Sequence, residues 1–144
     1  MKLGTRLSAP ALAVDRDGHL WVTGNTLPRA ENPLQTTPNA YQKTLPNTTS
    51  SHVFVARLNA NGTAVDYASY LSGSNNDNAF GIAVDGSGSI FIAGYTQSAD
   101  FPLTTPGNLG SGFAPFLTRL TPDGSKLVYS LLVVPATGLL RPPS

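Results

Sequence analysis

The 144-residue sequence contains no cysteine, one methionine and one glutamate, Glu31. The absence of cysteine excludes disulfide bonds and thiolate metal sites. Charged residues are few, and the nine basic residues nearly balance the eight acidic ones. Because nucleic-acid binding needs a basic surface, this balance predicts no nucleic-acid partner.

Apolar runs long enough to form a membrane-spanning helix are also missing. The first residues, MKLGTRLSAP, place two basic residues before a short apolar segment but contain no evident signal peptide. We therefore expect no membrane insertion by this chain.

Turn-forming and strand-forming residues are abundant instead. The chain has 14 glycines and 12 prolines, and threonine, valine and aromatic residues are well represented. This mixture favours short strands joined by turns over helices. The composition therefore predicts an all-β fold.

An internal repeat organises the sequence. The segment LAVDRDGHLWVTGNT (12–26) aligns with IAVDGSGSIFIAGYT (82–96), with six of the fifteen positions identical. TTP recurs at 36–38 and 104–106, and HVFVARLNANGTAVDY (52–67) aligns with APFLTRLTPDGSKLVY (114–129). Repeats of this length are typical of propellers, solenoids and related arrays.

Each copy is predicted to form four short antiparallel strands. Aspartate, asparagine and glycine in VDGSG, NANG and TPDG are typical of hairpin turns. Strands such as IFIAG and HVFVARL are apolar at consecutive positions, which indicates that both sheet faces are covered. Since no helical pattern could cover them, we predict two consecutive four-stranded blades of a partial β-propeller. A β-sandwich is the alternative.

The repeat also sets the expected organisation of the chain. We place the first blade at residues 8–72 and the second at 73–132. Residues 133–144 are interpreted as a proline-rich C-terminal tail.

The second copy resembles a known repeat family. Its segment DNAFGIAVDGSGSIFIAGYTQSADFPLTTPG, followed by FLTRLTPDGSKLVYS, is similar to the bacterial seven-bladed β-propeller repeat, called the SBBP repeat. The first copy departs from this pattern, because NTLPRAENPLQTTP replaces YTQSADFPLTTP and no Asp-x-Ala lead precedes it. The resemblance implies a bacterial protein at the cell surface or outside the cell.

We accordingly expect a non-catalytic structural or interaction module within a surface-exposed or exported propeller protein. Its partners would be further blades of a longer chain or other copies of itself. A propeller enzyme, either a lyase or a hydrolase, is one alternative. A binding module stabilised by calcium is the other.

No catalytic or cofactor-binding residues are predicted. The two histidines, His19 and His52, fall on non-histidine positions of the second copy, so neither belongs to the pattern of the repeat. Catalysis by a histidine or by paired carboxylates would need such residues to converge in a cleft.

Oxygen-rich loops offer candidate metal ligands, with calcium as the ion they would suit. The candidates are Asp15 and Asp17 in DRDG, and Asn75 and Asp77 in SNNDN. Turn formation is the favoured interpretation, because a calcium loop needs more ligands and Ser87 replaces Asp17 in the second copy.

Aromatic residues near strand ends are the candidates for a contact surface. They are Tyr41, Tyr70, Tyr95 and Phe101. Two blades cannot close a propeller ring, so we also expect Val55, Phe91 and Ile92 to be partly exposed on the outer faces.

Overall fold

The computed structural model describes residues 3, 7–27, 34–109 and 112–133. Eight strands are found in chain order: β1 (Leu7–Val14), β2 (Leu20–Thr26), β3 (His52–Leu58), β4 (Val65–Leu71), β5 (Asp77–Val84), β6 (Ile90–Thr96), β7 (Ala114–Leu120) and β8 (Leu127–Leu132). No helix occurs within these ranges. Accordingly, the described part of the chain has no helix of the length and hydrophobicity needed to span a membrane.

The strands form two four-stranded antiparallel sheets, β1-β2-β3-β4 and β5-β6-β7-β8. Each sheet therefore consists of strands that are consecutive in sequence and joined as a meander. This confirms the predicted all-β fold and is consistent with two consecutive propeller blades. The predicted tail at 133–144 lies, beyond Val133, outside the described residues.

The repeated aspartates close equivalent hairpins. The Asp15 carboxylate accepts hydrogen bonds from the N–H groups of Asp17 and His19, and Asp85 accepts the same bonds from Ser87 and Ser89. Glycine follows three residues later in both turns with positive φ, 86° at Gly18 and 89° at Gly88. Glycine reaches this region of φ without steric cost, which explains its recurrence.

A bulge in the first strand of each sheet shapes the edge of that sheet. The register shifts between Ser8 and Ala11 in β1 and between Ala79 and Gly81 in β5. Gly24 and Gly94 lie beside these bulges, where a side chain would overlap the carbonyl oxygens of Ser8 and Asn78. Glycine is required at both positions because the neighbouring backbone approaches so closely.

The TTP motif bonds to the last strand of its sheet. The Thr37 hydroxyl accepts from the Ala68 N–H at 3.1 Å, and the Thr104 hydroxyl accepts from the Ser130 N–H at 2.7 Å. Sequence alignment paired Thr104 with Thr36, whereas the structure pairs it with Thr37. The alignment was one residue off because the loops leading to the motif differ in length.

One apolar core joins the two sheets. The contact face of the first sheet contributes Trp21, Val53, Val55, Tyr67 and Leu71, and it packs on Ile90, Ile92, Phe116 and Leu120 of the second sheet. The Tyr67 hydroxyl also donates to the carbonyl oxygen of Gly124 at 2.7 Å. The expectation that Val55 and Ile92 are partly exposed was wrong, because the interface between the sheets buries both.

The opposite face of the first sheet is covered without a third sheet. Its residues Val22, Phe54, Ala56, Ala68 and Tyr70 are buried and form a second cluster. Leu34, from the connection between β2 and β3, is part of the cluster, and Leu3 and Leu45 pack against it. Segments of the same chain therefore cover this face over β2, β3 and β4, whereas Leu12 and Val14 at its β1 edge stay exposed.

Candidate functional site

The second sheet has one face that carries apolar side chains and no covering sheet within the described residues. We call it the free face. On β5 it carries Asn78, Gly81 and Ala83, and its other residues are Phe80, Phe91, Ala93, Tyr95, Phe113, Pro115, Leu117, Arg119, Val128, Tyr129, Leu131 and Val133. Phe80, Phe113, Val128 and Val133 are among the exposed large hydrophobic residues of the chain. An exposed set of this kind marks an interaction surface or an aggregation risk.

Strand register relates the free face to the contact face of the first sheet. Trp21 lies opposite Arg57 in β2 and β3, and Phe91 lies opposite Arg119 in β6 and β7. In each sheet the next pair of strands places a tyrosine opposite that arginine, at Tyr67 and Tyr129. The free face is therefore the repeat equivalent of a face that is buried against a neighbouring sheet.

The free face is more apolar than its equivalent in the first sheet. Five polar residues of the first sheet have apolar counterparts in the second. The pairs are Thr23 and Ala93, Asn25 and Tyr95, Ser51 and Phe113, Asp66 and Val128, and Ser69 and Leu131. All five changes favour removal of this face from water.

Two of these changes remove hydrogen bonds that hold the two sheets together. The Asn25 amide donates to the Asn78 side chain at 2.7 Å and accepts from the Ala79 N–H at 2.8 Å. The Ser51 hydroxyl donates to the carbonyl oxygen of Asp77 at 3.4 Å. Tyr95 and Phe113 stand at the equivalent positions in the second sheet, so its free face lacks the side-chain amide bonds that Asn25 supplies.

Three aromatic rings form an exposed cluster on the free face. Phe80 and Tyr95 are 5.2 Å apart between ring centroids, and Tyr95 and Phe113 meet edge to face at 5.5 Å. These residues are 53%, 42% and 59% exposed, respectively. Beside them lies a cavity of about 310 Å³ lined by Ser51, Asn76, Asn78, Tyr95, Gln97 and Phe113.

The charge on the free face is compensated locally. The Arg119 guanidinium lies 3.7 Å from the Asp85 carboxylate, donates to the Ser89 hydroxyl at 3.0 Å, and stacks 5.2 Å from the Phe91 ring centroid. The side-chain hydrogen bond from Ser87, supported by backbone bonds and by Arg119, lowers the pKa of Asp85. Because the Arg119 charge is paired with Asp85, the free face carries little net charge.

Of the predicted contact residues, Tyr95 alone is exposed. Tyr41 is partly buried against the core that joins the sheets. Tyr70 and Phe101 are buried, at 3% and 4% exposure, and pack in the two cores. Their proposed place on a contact surface is corrected, because Tyr70 packs with Leu34 in one core and Phe101 packs against the Phe116 ring in the other.

The predicted metal ligands do not form one group. Asp15 and Asp17 lie close to His19, with one potential ligand atom from each residue within 4.8 Å of the others. The Asp15 carboxylate already accepts from two backbone N–H groups and from the Trp21 indole at 3.1 Å. Although desolvation raises its pKa, these bonds lower it overall.

Asp77 and Asn75 lie in a separate arrangement at the connection between the sheets. The buried Asp77 carboxylate accepts from Thr96 at 2.6 Å, Ser98 at 2.9 Å and the Gly73 N–H at 2.8 Å. Burial raises the pKa of Asp77, while these hydrogen bonds oppose the shift. Since the protein satisfies both carboxylates, turn and loop formation accounts for Asp15 and Asp77, and calcium binding stays a prediction.

The histidines lie apart from the free face. His52 is fully buried, and its Nε2 atom lies 3.0 Å from the carbonyl oxygen of Asn47. His19 contacts the carboxylate of Asp15 in the first hairpin. Neither histidine accompanies a second general acid or base in a cavity that the structure describes.

Sequence reasoning missed Phe80, Phe113, Val128 and Leu131. Pairing the two copies position by position and asking where polar residues become apolar would have identified three of them. Phe80 is different, because it is the extra residue of the β5 bulge and faces Tyr95 only through that irregularity.

The comparisons with known proteins bear on the repeat. Residues 66–102 match a family model described as a beta-propeller repeat, SBBP. The matched segment spans the end of the first sheet, β5, β6 and the following loop, including the Asp77 and Asp85 motifs. A search of curated proteins gave no match. Residues 66–102 therefore match a beta-propeller repeat of the SBBP type.

Proposed function

We propose that this protein is a non-catalytic structural and interaction module that acts through the free face of the second sheet. The observation that carries the proposal is the replacement of five polar residues by apolar ones, relative to a face that is buried in the same molecule. A surface enriched in apolar residues in this way is suited to packing against a protein partner.

The partner class follows from the shape of this surface. It is the face of a four-stranded antiparallel sheet, and its equivalent in the first sheet packs on another sheet. A further propeller blade, in the same chain or in another copy, therefore has the form that fits it. A surface-exposed or exported bacterial location is part of the proposal and is supported by the family resemblance.

The non-catalytic part of the proposal is supported by the placement of the titratable groups. His52 is buried, and Asp15 and Asp77 accept hydrogen bonds from neighbouring loop and strand residues. A catalytic role would need such groups to face a substrate cavity together. A hydrolase or lyase activity that is lost on substitution His19→Ala would overturn this part.

Binding of the dye 1-anilinonaphthalene-8-sulfonate tests the exposed free face. At low protein concentration we expect dye fluorescence to rise with the wild type and to fall with the triple variant Ala93→Thr, Tyr95→Asn, Phe113→Ser. These substitutions install the residues of the first sheet. Near-ultraviolet circular dichroism identifies folded samples, because loosely packed states also bind this dye.

Substitution Leu12→Ser is the matched control, because Leu12 is 62% exposed but lies in β1 of the other sheet. It should leave most of the dye signal intact. The proposal fails if the folded wild type binds no dye, or if the control and the triple variant lose the signal equally.

A further inference from the structure

We propose that the free face of the second sheet pairs with the same face of a second copy of this chain, which gives a closed, twofold-symmetric dimer. This inference rests on the proposed function and names its partner. It depends on three features of the molecule: a closed opposite side, a self-compatible surface and a limited area.

The largely closed opposite side disfavours head-to-tail stacking. A head-to-tail contact would place the free face of one copy on the outer side of the first sheet of the next. Over β2, β3 and β4 that side is already covered, since Leu34 and further leucines of the same chain pack on it. Its exposed apolar residues are confined to the β1 edge, at Leu12 and Val14. Like-with-like pairing of two free faces remains, and such isologous contacts are the commonest in homo-oligomers.

The free face is compatible with its own copy. Arg119 is already paired with Asp85 and stacked on Phe91, so two facing copies bring no uncompensated charge together. Val128 stands where the first sheet has Asp66, which removes a second charge from the face. The exposed aromatic cluster supplies side chains that pack well edge to face or offset against one another.

The area of the face sets the expected strength of the dimer. Four strands about 4.8 Å apart, with a rise of about 3.3 Å per residue over about seven residues, cover roughly 400 Å² in projection. Interfaces of this extent lie at the low end of specific protein contacts. The dimer is therefore expected to dissociate on dilution.

Sedimentation velocity over a concentration series tests the proposal. The wild type should pass from monomer to dimer as concentration rises, with no larger species. Substitutions Phe113→Ser and Leu131→Ser, measured separately, should each raise the dimer Kd by about tenfold or more, because a few large apolar side chains carry much of the affinity of an interface.

Substitution Leu12→Ser again serves as the control and should leave the dimer Kd unchanged. Larger assemblies that grow with concentration would overturn the proposal in favour of head-to-tail stacking. A folded monomer at every concentration would also overturn it. If that monomer still binds the dye, the proposed function survives and the identity of the partner is wrong.

Discussion

At the scale of single residues, Asp77 holds the connection between the two sheets. It is the first residue of β5, and its buried carboxylate accepts hydrogen bonds from the connection before β5 and from the end of β6. Leu7 stands at the equivalent position in the first sheet, beside Thr26. The carboxylate thus anchors the start of one sheet in a way that the other does not share.

Substitution Asp77→Ala should lower the free energy of unfolding by about 2–3 kcal/mol, because buried donors that lose their acceptor pay their desolvation cost. The donors concerned are Thr96, Ser98 and Gly73. Urea unfolding measures the change. Asp17→Ala should shift stability by less than about 0.5 kcal/mol, since its side chain is exposed. Equal losses for both variants would contradict the role given to Asp77.

His52 gives the protein a predicted pH dependence. Burial lowers the pKa of His52 below 6.5, although hydrogen bonds with backbone groups oppose the shift. The unfolded state therefore binds a proton more readily than the folded state, and stability should fall as pH drops below about 6.5. Thermal midpoints between pH 5 and 8 measure this slope.

The variant His52→Gln should show a shallower slope in that window than the wild type. His19→Gln should keep the wild-type slope that burial of His52 produces. A slope that survives unchanged in His52→Gln would assign the pH dependence to another group.

At the scale of elements, each of the two bulges needs a glycine in the neighbouring strand. The bulges in β1 and β5 press their backbones against Gly24 and Gly94. A β-bulge raises local twist and bends the strand that carries it. In β5 the bulge also places Phe80 on the free face, so a local irregularity contributes to the candidate interaction surface.

Substitution Gly94→Ala should destabilise the protein by at least about 2 kcal/mol, because the added methyl group overlaps the Asn78 backbone and β5 must shift. Gly86→Ala should have little effect, since its methyl group would meet no atom within 4 Å. Chemical unfolding of the two variants gives the comparison. A tolerated Gly94→Ala would show that the bulge can relax.

At the scale of the whole molecule, the two sheets share one core. Trp21 and Val55 of the first sheet and Ile92 and Phe116 of the second belong to the same buried cluster. Neither sheet could unfold alone without exposing the contact face of the other to water. Sharing of a core in this way favours cooperative unfolding.

We therefore expect one calorimetric transition with equal calorimetric and van't Hoff enthalpies at a protein concentration that keeps the chain monomeric. Substitution Tyr67→Phe removes the hydrogen bond to Gly124 and should cost about 1 kcal/mol, which lowers the single midpoint by about 2–4 °C. Two separate transitions would mean that the sheets are independent units.

The repeat made much of the architecture predictable. Apolar runs in β2, β3, β6 and β7 and the Asp-Gly turns led to two four-stranded sheets. The burial of Val55 and Ile92 was not predictable from these runs. The runs do not say which face of a sheet is covered or by which segment. For the same reason Tyr70 and Phe101, near strand ends, could not be recognised as core residues.

The sequence by itself determined the strand content, the turn chemistry and the family resemblance of the second copy. These follow from local preferences: Asp85 closes a hairpin with Gly88 wherever that hairpin lies. Tertiary structure alone decided which faces are buried. Leu34 and its neighbours close one side of the first sheet, and no described segment covers Tyr95 and Phe113 on the second. Burial depends on contacts between distant segments, so it is decided by packing rather than by any one stretch of sequence.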